Sequence, residues 1–281
     1  MKLVTYQAKP GAEARVGMVS KDGNHITPLA AANMVSLIAA GAVPAQSGSV
    51  QPFAFVRLLA PIPRPRKNVF CVGWNYLEHF EEGKKARPHV QEMPEFPTFF
   101  TKAPTAVNGP YDPIPYATGI SDKLDWEVEL GVVIGKGGKN ISEADAMKHV
   151  FGYTVINDVS WRDIQRRHGQ QWFKGKSMDG TCPMGPWIVT ADEVNPADLH
   201  LECRVNGVVK QSASTAQMYF KLPRIIAELS LGLTLEPGDV IATGTPSGVG
   251  HSRTPPEFMK PGDVMETEIE GIGMLKNTIG S

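Results

Sequence analysis

Glu127 and Glu129 stand two apart in Asp125-Trp126-Glu127-Val128-Glu129-Leu130, and a third acid, Asp158, closes the apolar run Tyr153-Thr154-Val155-Ile156-Asn157-Asp158. In an extended strand, side chains alternate between faces, so Glu127 and Glu129 share one face while Trp126 and Val128 take the other. The continuation Leu130-Gly131-Val132-Val133-Ile134 is apolar enough for a core strand. Two acids at the head of a buried strand repel each other unless positive charge lies between them. A divalent cation with oxygen ligands meets that need. Taken alone, Glu-x-Glu is also how a solvated strand edge with surface ion pairs reads.

His79 and Glu82 stand three apart in Tyr76-Leu77-Glu78-His79-Phe80-Glu81-Glu82. On a helix they share a face, where the carboxylate can orient the imidazole and raise its basicity. The unpatterned stretch that follows, Gly83 to Pro97, reads as an exposed segment or a lid, so this base would arrive with bound substrate. Arg162 and Gln165 lie about a helical turn beyond Asp158, and arginine suits bidentate capture of a carboxylate. Read singly, Arg162 is equally a partner for Asp163. Lys174 and Lys176 sit among aromatic and small residues in Trp172-Phe173-Lys174-Gly175-Lys176-Ser177. The loop Thr243-Gly244-Thr245-Pro246-Ser247-Gly248-Val249-Gly250 can offer backbone N–H groups and hydroxyls to an anion. It is not a phosphate-binding Walker loop, and Gly135-Lys136-Gly137-Gly138-Lys139 reads as a hairpin turn. Zinc hydrolysis is disfavoured by the absence of His-Glu-x-x-His and Cys-x-x-Cys. A serine hydrolase is disfavoured by the absence of Gly-x-Ser-x-Gly.

The elements that must hold these groups fit one large domain with a small one attached. Residues 1–62 read as a small N-terminal α/β module: strands at Lys2 to Tyr6 and Arg15 to Val19, then a helix from Pro28 to Ala40. The proline-dense Leu59-Ala60-Pro61-Ile62-Pro63-Arg64-Pro65-Arg66 marks the boundary, because proline fixes an extended backbone. Residues 67–281 form the larger domain. It opens with a strand at Asn68 to Val72 and a helix at Tyr76 to Glu82; further helices are expected at Ser142 to Val150 and Met218 to Leu231. Type II turns at Glu236-Pro237-Gly238-Asp239 and Lys260-Pro261-Gly262-Asp263 introduce strands at Val240 to Thr243 and Met265 to Ile269. The fold class is α+β, β-rich, without βαβ alternation. Lys plus Arg is 28 against 29 for Asp plus Glu, a net charge of −1 with no basic stripe, so nucleic acid is not an expected partner. No stretch has the length and apolarity of a membrane span, and the N-terminus lacks the pattern of a signal peptide. Cys71, Cys182 and Cys203 are odd in number and unevenly spaced, as core residues are. A cytoplasmic enzyme is the expectation.

In order along the chain, Val72-Gly73-Trp74-Asn75-Tyr76-Leu77-Glu78-His79, Pro97-Thr98-Phe99-Phe100-Thr101-Lys102, Asp125 to Leu130, Asn157 to Asp163, Gly175-Lys176-Ser177 and Ala242 to Gly250 resemble the fumarylacetoacetate hydrolase family. The resemblance spans most of the chain. It implies a mixed β-roll, commonly a homodimer, preceded by a small domain. It implies that Glu127, Glu129 and Asp158 bind Mg²⁺, Mn²⁺ or Ca²⁺, and that His79 and Glu82 activate water. It also implies that Arg162, Gln165, Lys176 and Thr245, with Lys102, grip a keto acid, Lys176 in a catalytic role. Trp74 and Trp161 depart from the family pattern, where Arg and Ala are frequent, which affects the substrate's distal end. The activity expected on this basis is hydrolysis of a carbon–carbon bond in a 2,4-diketo acid of the acylpyruvate or fumarylpyruvate type, releasing pyruvate. Alternatives sharing the site are an oxaloacetate-type decarboxylase and an isomerase or tautomerase of unsaturated keto acids, such as 2-hydroxyhepta-2,4-diene-1,7-dioate. A non-catalytic binding protein is a third, disfavoured by the retention of both His79 and Glu82.

Overall fold

Strand Val128–Ile134 is buried along its whole length, and it organises the molecule. Val128, Leu130, Val132 and Ile134 enter one apolar cluster, while Val133 enters another. The odd-numbered face therefore carries Glu129, Gly131 and Val133. The strand pairs antiparallel with Val150–Asn157 on one side (Leu130 opposite Val155) and with Val240–Ala242 on the other (Val132 opposite Ile241). Val240–Ala242 runs parallel to Val69–Gly73, which pairs antiparallel with Thr98–Lys102. Beyond Val150–Asn157 lies Cys182–Thr190, and that strand pairs with Lys2–Gln7 (Leu3 opposite Ile188). Among the described residues this makes a mixed sheet of 12 strands, beside an antiparallel sheet of 4 built from His200–Val205, Val208–Ser214, Val264–Ile269 and Gly273–Thr278. The β-rich α+β class expected from the sequence is the class observed.

The structure is a computed structural model describing residues 1–84, 92–169 and 171–281. Of the stretch read as a lid, residues 85–91 lie outside the described residues. Among the described residues no helix is long and apolar enough to cross a membrane. All three cysteines are buried and free, and burial first of all pushes the thiols of Cys182 and Cys203 up to about 12.

Several boundaries differ from those read in the sequence. The first helix is Met34–Ala40, not Pro28 to Ala40. Pro28 ends the strand His25–Pro28, and Asn33 caps the helix by accepting from the Ser36 N–H. Ser142 to Val150 is not an α-helix. Ser142 and Asp145 bond each other locally, which competes with helical bonding, and only a 3₁₀ turn at Ala146–His149 forms. The last helix is shorter than expected, Leu222–Ser230.

The segment Asp125 to Leu130 is not one continuous strand. Leu124–Asp125 pairs with Ser160–Trp161, whereas Val128–Ile134 pairs with Val150–Asn157. Between them, Trp126 N–H donates to the Asp125 carboxylate and Glu127 N–H to the Asn157 side chain, both at 2.9 Å. Side chains thus replace the ladder at the point where the two glutamates begin.

Candidate active site

Glu127, Glu129 and Asp158 converge in the interior, with exposures of 4%, 1% and 0% and one ligand atom from each lying within 4.8 Å of the others. Asp158 N–H donates to Glu127 O at 2.8 Å, so the chain after Val150–Asn157 is pinned against the start of the neighbouring strand. Two lysines partly neutralise the group. Lys176 Nζ stands 2.7 Å from both Glu127 Oε2 and Asp158 Oδ2, and Lys102 Nζ stands 2.7 Å from Asp158 Oδ1 and 3.0 Å from Val159 O.

The charges are unevenly shared. Burial would raise the Glu127 carboxyl, but Lys176 and then Arg162 outweigh it and hold the group well below the ordinary range. Glu129 forms no ion pair among the described residues; its Oε2 accepts the Gly244 N–H at 2.7 Å. Burial, reinforced by Asp158 and Glu127, pushes its carboxyl well above the ordinary value. Gly244 can bring its N–H there because it adopts φ 99, and a Cβ at that position would stand 2.6 Å from Asn75 Cβ. Three hard oxygen donors facing two ammonium groups, with Glu129 short of a cation, fit a divalent ion. The donor set supports a divalent ion as a class.

Arg162 is committed to protein carboxylates. Its Nε lies 2.7 Å from Asp125 Oδ2, its Nη2 2.6 Å from Glu127 Oε1, and its Nη1 donates to Gln165 Oε1 at 3.2 Å. Asp125 also accepts the N–H groups of Gly250 (2.7 Å) and His251 (3.0 Å). Burial would raise the Asp125 carboxyl, yet Arg162 and His251 keep it below its usual value. Asp125 therefore ties the acid cluster, through Arg162, to the loop at Gly248–His251. Lys176 reaches its place from the short helix Phe173–Lys176, packed on the helix Arg162–Arg167 through Gly175. A Cβ on Gly175 would stand 2.2 Å from Gln165 N. Thr245 Oγ1 accepts from Gln211 Nε2 at 2.8 Å, and Gln211 Oε1 takes the Val128 N–H at 3.0 Å.

The His79–Glu82 pair enters from a separate element. Strand Val69–Gly73 ends in Trp74, which adopts φ 56, a conformation that a bulky side chain rarely takes. Fully buried Asn75 holds this turn: its Nδ2 donates to Phe220 O (3.1 Å) and Thr243 O (2.7 Å), and its Oδ1 accepts Phe220 N–H (2.7 Å). The helix Leu77–Glu82 follows and places His79 Nδ1 2.7 Å from Glu82 Oε1. Glu82 Oε2 accepts the Gly248 N–H at 2.9 Å, which fastens the pair to the same loop that Asp125 holds. Trp74 lies edge-on to Trp172, with centroids 4.9 Å apart, whereas Trp161 is fully buried against Tyr116.

Sequence reasoning thus named the acids, the His–Glu pair and their lysine, arginine and threonine neighbours. It assigned no role to Asp125, Asn75, Gln211 or His251. Asp125 carried a readable signal, since it begins the same acid-rich segment; Gln211 carried none.

A family model described as fumarylacetoacetate (FAA) hydrolase C-terminal matches residues 68–280. The chain belongs to this family. Within it, the oxaloacetate tautomerase YisK of Bacillus subtilis (strain 168) is 50% identical over 227 residues, covering 80% of this chain and 73% of that protein. The solved fumarylacetoacetate hydrolase (EaFAH) from psychrophilic Exiguobacterium antarcticum is 41% identical, with a TM-score of 0.87 over 100% of this chain and 99% of that one. A 2-hydroxyhepta-2,4-diene-1,7-dioate isomerase from Mycobacterium marinum is 36% identical, with a TM-score of 0.79 over 100% of this chain and 98% of that one.

These relatives overturn the expected carbon–carbon hydrolase. Although the family includes hydrolases, similarity to a tautomerase and an isomerase favours the isomerase alternative. The physical reason is that both chemistries pass through an enolate of a 2-keto acid. A site that stabilises such an enolate suits either, and the motifs do not distinguish a proton shift from bond cleavage.

Proposed function

We propose that this protein is a metal-assisted keto–enol tautomerase of 2-keto dicarboxylic acids of the oxaloacetate type. The observation that carries the reading is the His79–Glu82 pair, fastened through Gly248 to the loop that Asp125 and Arg162 tie to the buried cluster of acids and lysines. Its likeness to an oxaloacetate tautomerase supports the substrate class.

Tautomerisation moves one proton between C3 and the 2-oxygen and breaks no carbon–carbon bond. A carboxylate only accepts, so His79 donates Nδ1–H to Glu82 and keeps Nε2 as the base. Nε2 takes the proton from C3, and Glu82 stabilises the imidazolium that forms. Two Lys176 N–H groups are held by Glu127 and Asp158; the third is available to the oxygen where negative charge develops. The imidazolium then returns its proton to that oxygen, giving the enol. A divalent ion held by Glu127, Glu129 and Asp158 supplies Lewis-acid stabilisation of that negative charge when bound. Mg²⁺ or Mn²⁺ is the proposed ion, Ca²⁺ a third candidate. A homodimer is part of the proposal, and light scattering in solution checks it.

The test follows enol absorbance of oxaloacetate with chelator-treated protein, before and after Mg²⁺ is added, with proton NMR of the products. Acceleration of keto–enol exchange above the buffer rate, with mass conserved, supports the proposal. Pyruvate and CO₂ formed in step with enol loss, or exchange at the buffer rate, would refute it.

A further inference from the structure

The proline-dense segment at residues 59–66 carries two arginines that line a cavity. Pro63 and Pro65 alternate with Arg64 and Arg66. Proline stiffens the chain around the two arginines, and the backbone bends at residues 61–64 and 66–67. Arg64 and Arg66 both line a cavity of about 350 Å³, and Arg15 from the strand Arg15–Val19 lines it too. Val16, Met34 and Ile62 contribute apolar walls, and among the described residues no aspartate or glutamate lines the cavity.

Lys67 and, more weakly, Arg66 hold the Glu236 carboxyl below its ordinary value, and Glu236 pairs with Lys67 rather than with Arg66. Glu236 and Asp239 pair with Lys67 at 2.9 and 3.0 Å, and Asp112 pairs with Arg57 at 2.9 Å. Arg15 donates one long bond to Ser47 O, 3.3 Å away. Among the described residues, none of the three arginines forms an ion pair. Three exposed arginines from two separated segments thus line one cavity, with no ion-pair partner among the described residues. Planar forked donors of this kind match carboxylate and phosphate oxygens. The cavity shares no residue with the acid cluster around Glu127.

We propose that this cavity is a binding site for a small organic anion carrying at least two negative charges, with a compact apolar part against Val16, Met34 and Ile62. Phosphate esters and polycarboxylates share the chemistry required. Binding would tie Arg15 of the strand Arg15–Val19 to Arg64 and Arg66, so occupancy stabilises the folded chain.

Thermal unfolding of the full-length, Mg²⁺-loaded protein provides the test, with inorganic phosphate and tricarballylate titrated separately at constant ionic strength set by NaCl. The expected result is a saturable rise in Tm with one or both anions, and the more effective anion identifies the class. In the Arg64→Gln/Arg66→Gln double variant, half-saturation should move to about tenfold higher concentration or beyond, the scale of lost charge-assisted hydrogen bonds. The single variant Arg15→Gln, which leaves the connecting segment intact, should weaken binding in the same direction. Basal turnover of both variants should match that of the unsubstituted protein. No rise above the NaCl control overturns the proposal. So does an undiminished response in the variants, because it places the anion elsewhere.

Discussion

Glu129→Gln tests the electrostatic reading of the acid cluster most directly. Glu129 is buried beside Glu127 and Asp158, while Lys102 and Lys176 serve those two and leave Glu129 with a backbone N–H alone. A glutamine keeps the shape, still accepts from Gly244, and removes the least compensated charge. Relief of an undersupplied buried polar group is worth about 1–3 kcal/mol, more when it is charged. At roughly 2–4 °C per kcal/mol, chelator-treated Glu129→Gln should melt about 2–12 °C above the chelator-treated parent near neutral pH. The pH dependence has a fixed sign. The folded-state carboxyl of Glu129 lies above its unfolded value, so the parent loses stability as pH rises from the unfolded value towards the raised one. Below that window both states are protonated and the variant's advantage vanishes. Added Mg²⁺ should reverse the order: about 2.7 kcal/mol accrues to the parent at a hundredfold excess over Kd, and the variant, lacking one anionic donor, gains less. Differential scanning calorimetry from about pH 4 to about pH 8, with and without Mg²⁺, measures all three effects. A chelator-treated variant less stable than the parent at neutral pH, or an advantage that does not change with pH, would refute the reasoning.

His79→Gln should lower tautomerase turnover about 10²–10⁴-fold while calorimetric Mg²⁺ affinity stays unchanged, because His79 bonds Glu82 and not the acid cluster. Asp125→Asn leaves Arg162 with a weakened buried partner and sets an amide donor against backbone N–H groups; a loss of roughly 3–5 kcal/mol is expected in urea melts. Gly175→Ala forces the helices Arg162–Arg167 and Phe173–Lys176 apart, costing about 1–3 kcal/mol, and should lower kcat by displacing Lys176. If the Gly175→Ala variant kept parental Tm and kcat, this close approach would be shown not to be needed.

Much of the candidate site was legible along the chain before its geometry was known. The pair His79–Glu82 is legible because one helical turn brings it together; Glu127 and Glu129 are legible from their two-residue spacing, although Glu127 precedes the strand that carries Glu129 and is placed by the Asn157 side chain. The β-rich class was legible too, from short apolar runs separated by Gly and Pro turns. The helix expected at Ser142 to Val150 failed because Ser142–Asp145 bonding competes with the backbone, a contest that composition does not reveal.

What the tertiary structure decided is which charges meet. Lys102 reaches Asp158 across 56 residues, Lys176 across 18, and Arg162 reaches Asp125 across 37. Asn75 secures the turn before His79 from contacts 145 and 168 residues away. Such contacts have no period along the chain, because they depend on strand order and register in a sheet that joins distant segments. Whether a buried lysine faces substrate or neutralises a neighbouring carboxylate is therefore settled by packing, where leaving a buried charge unpaired costs more than any local preference.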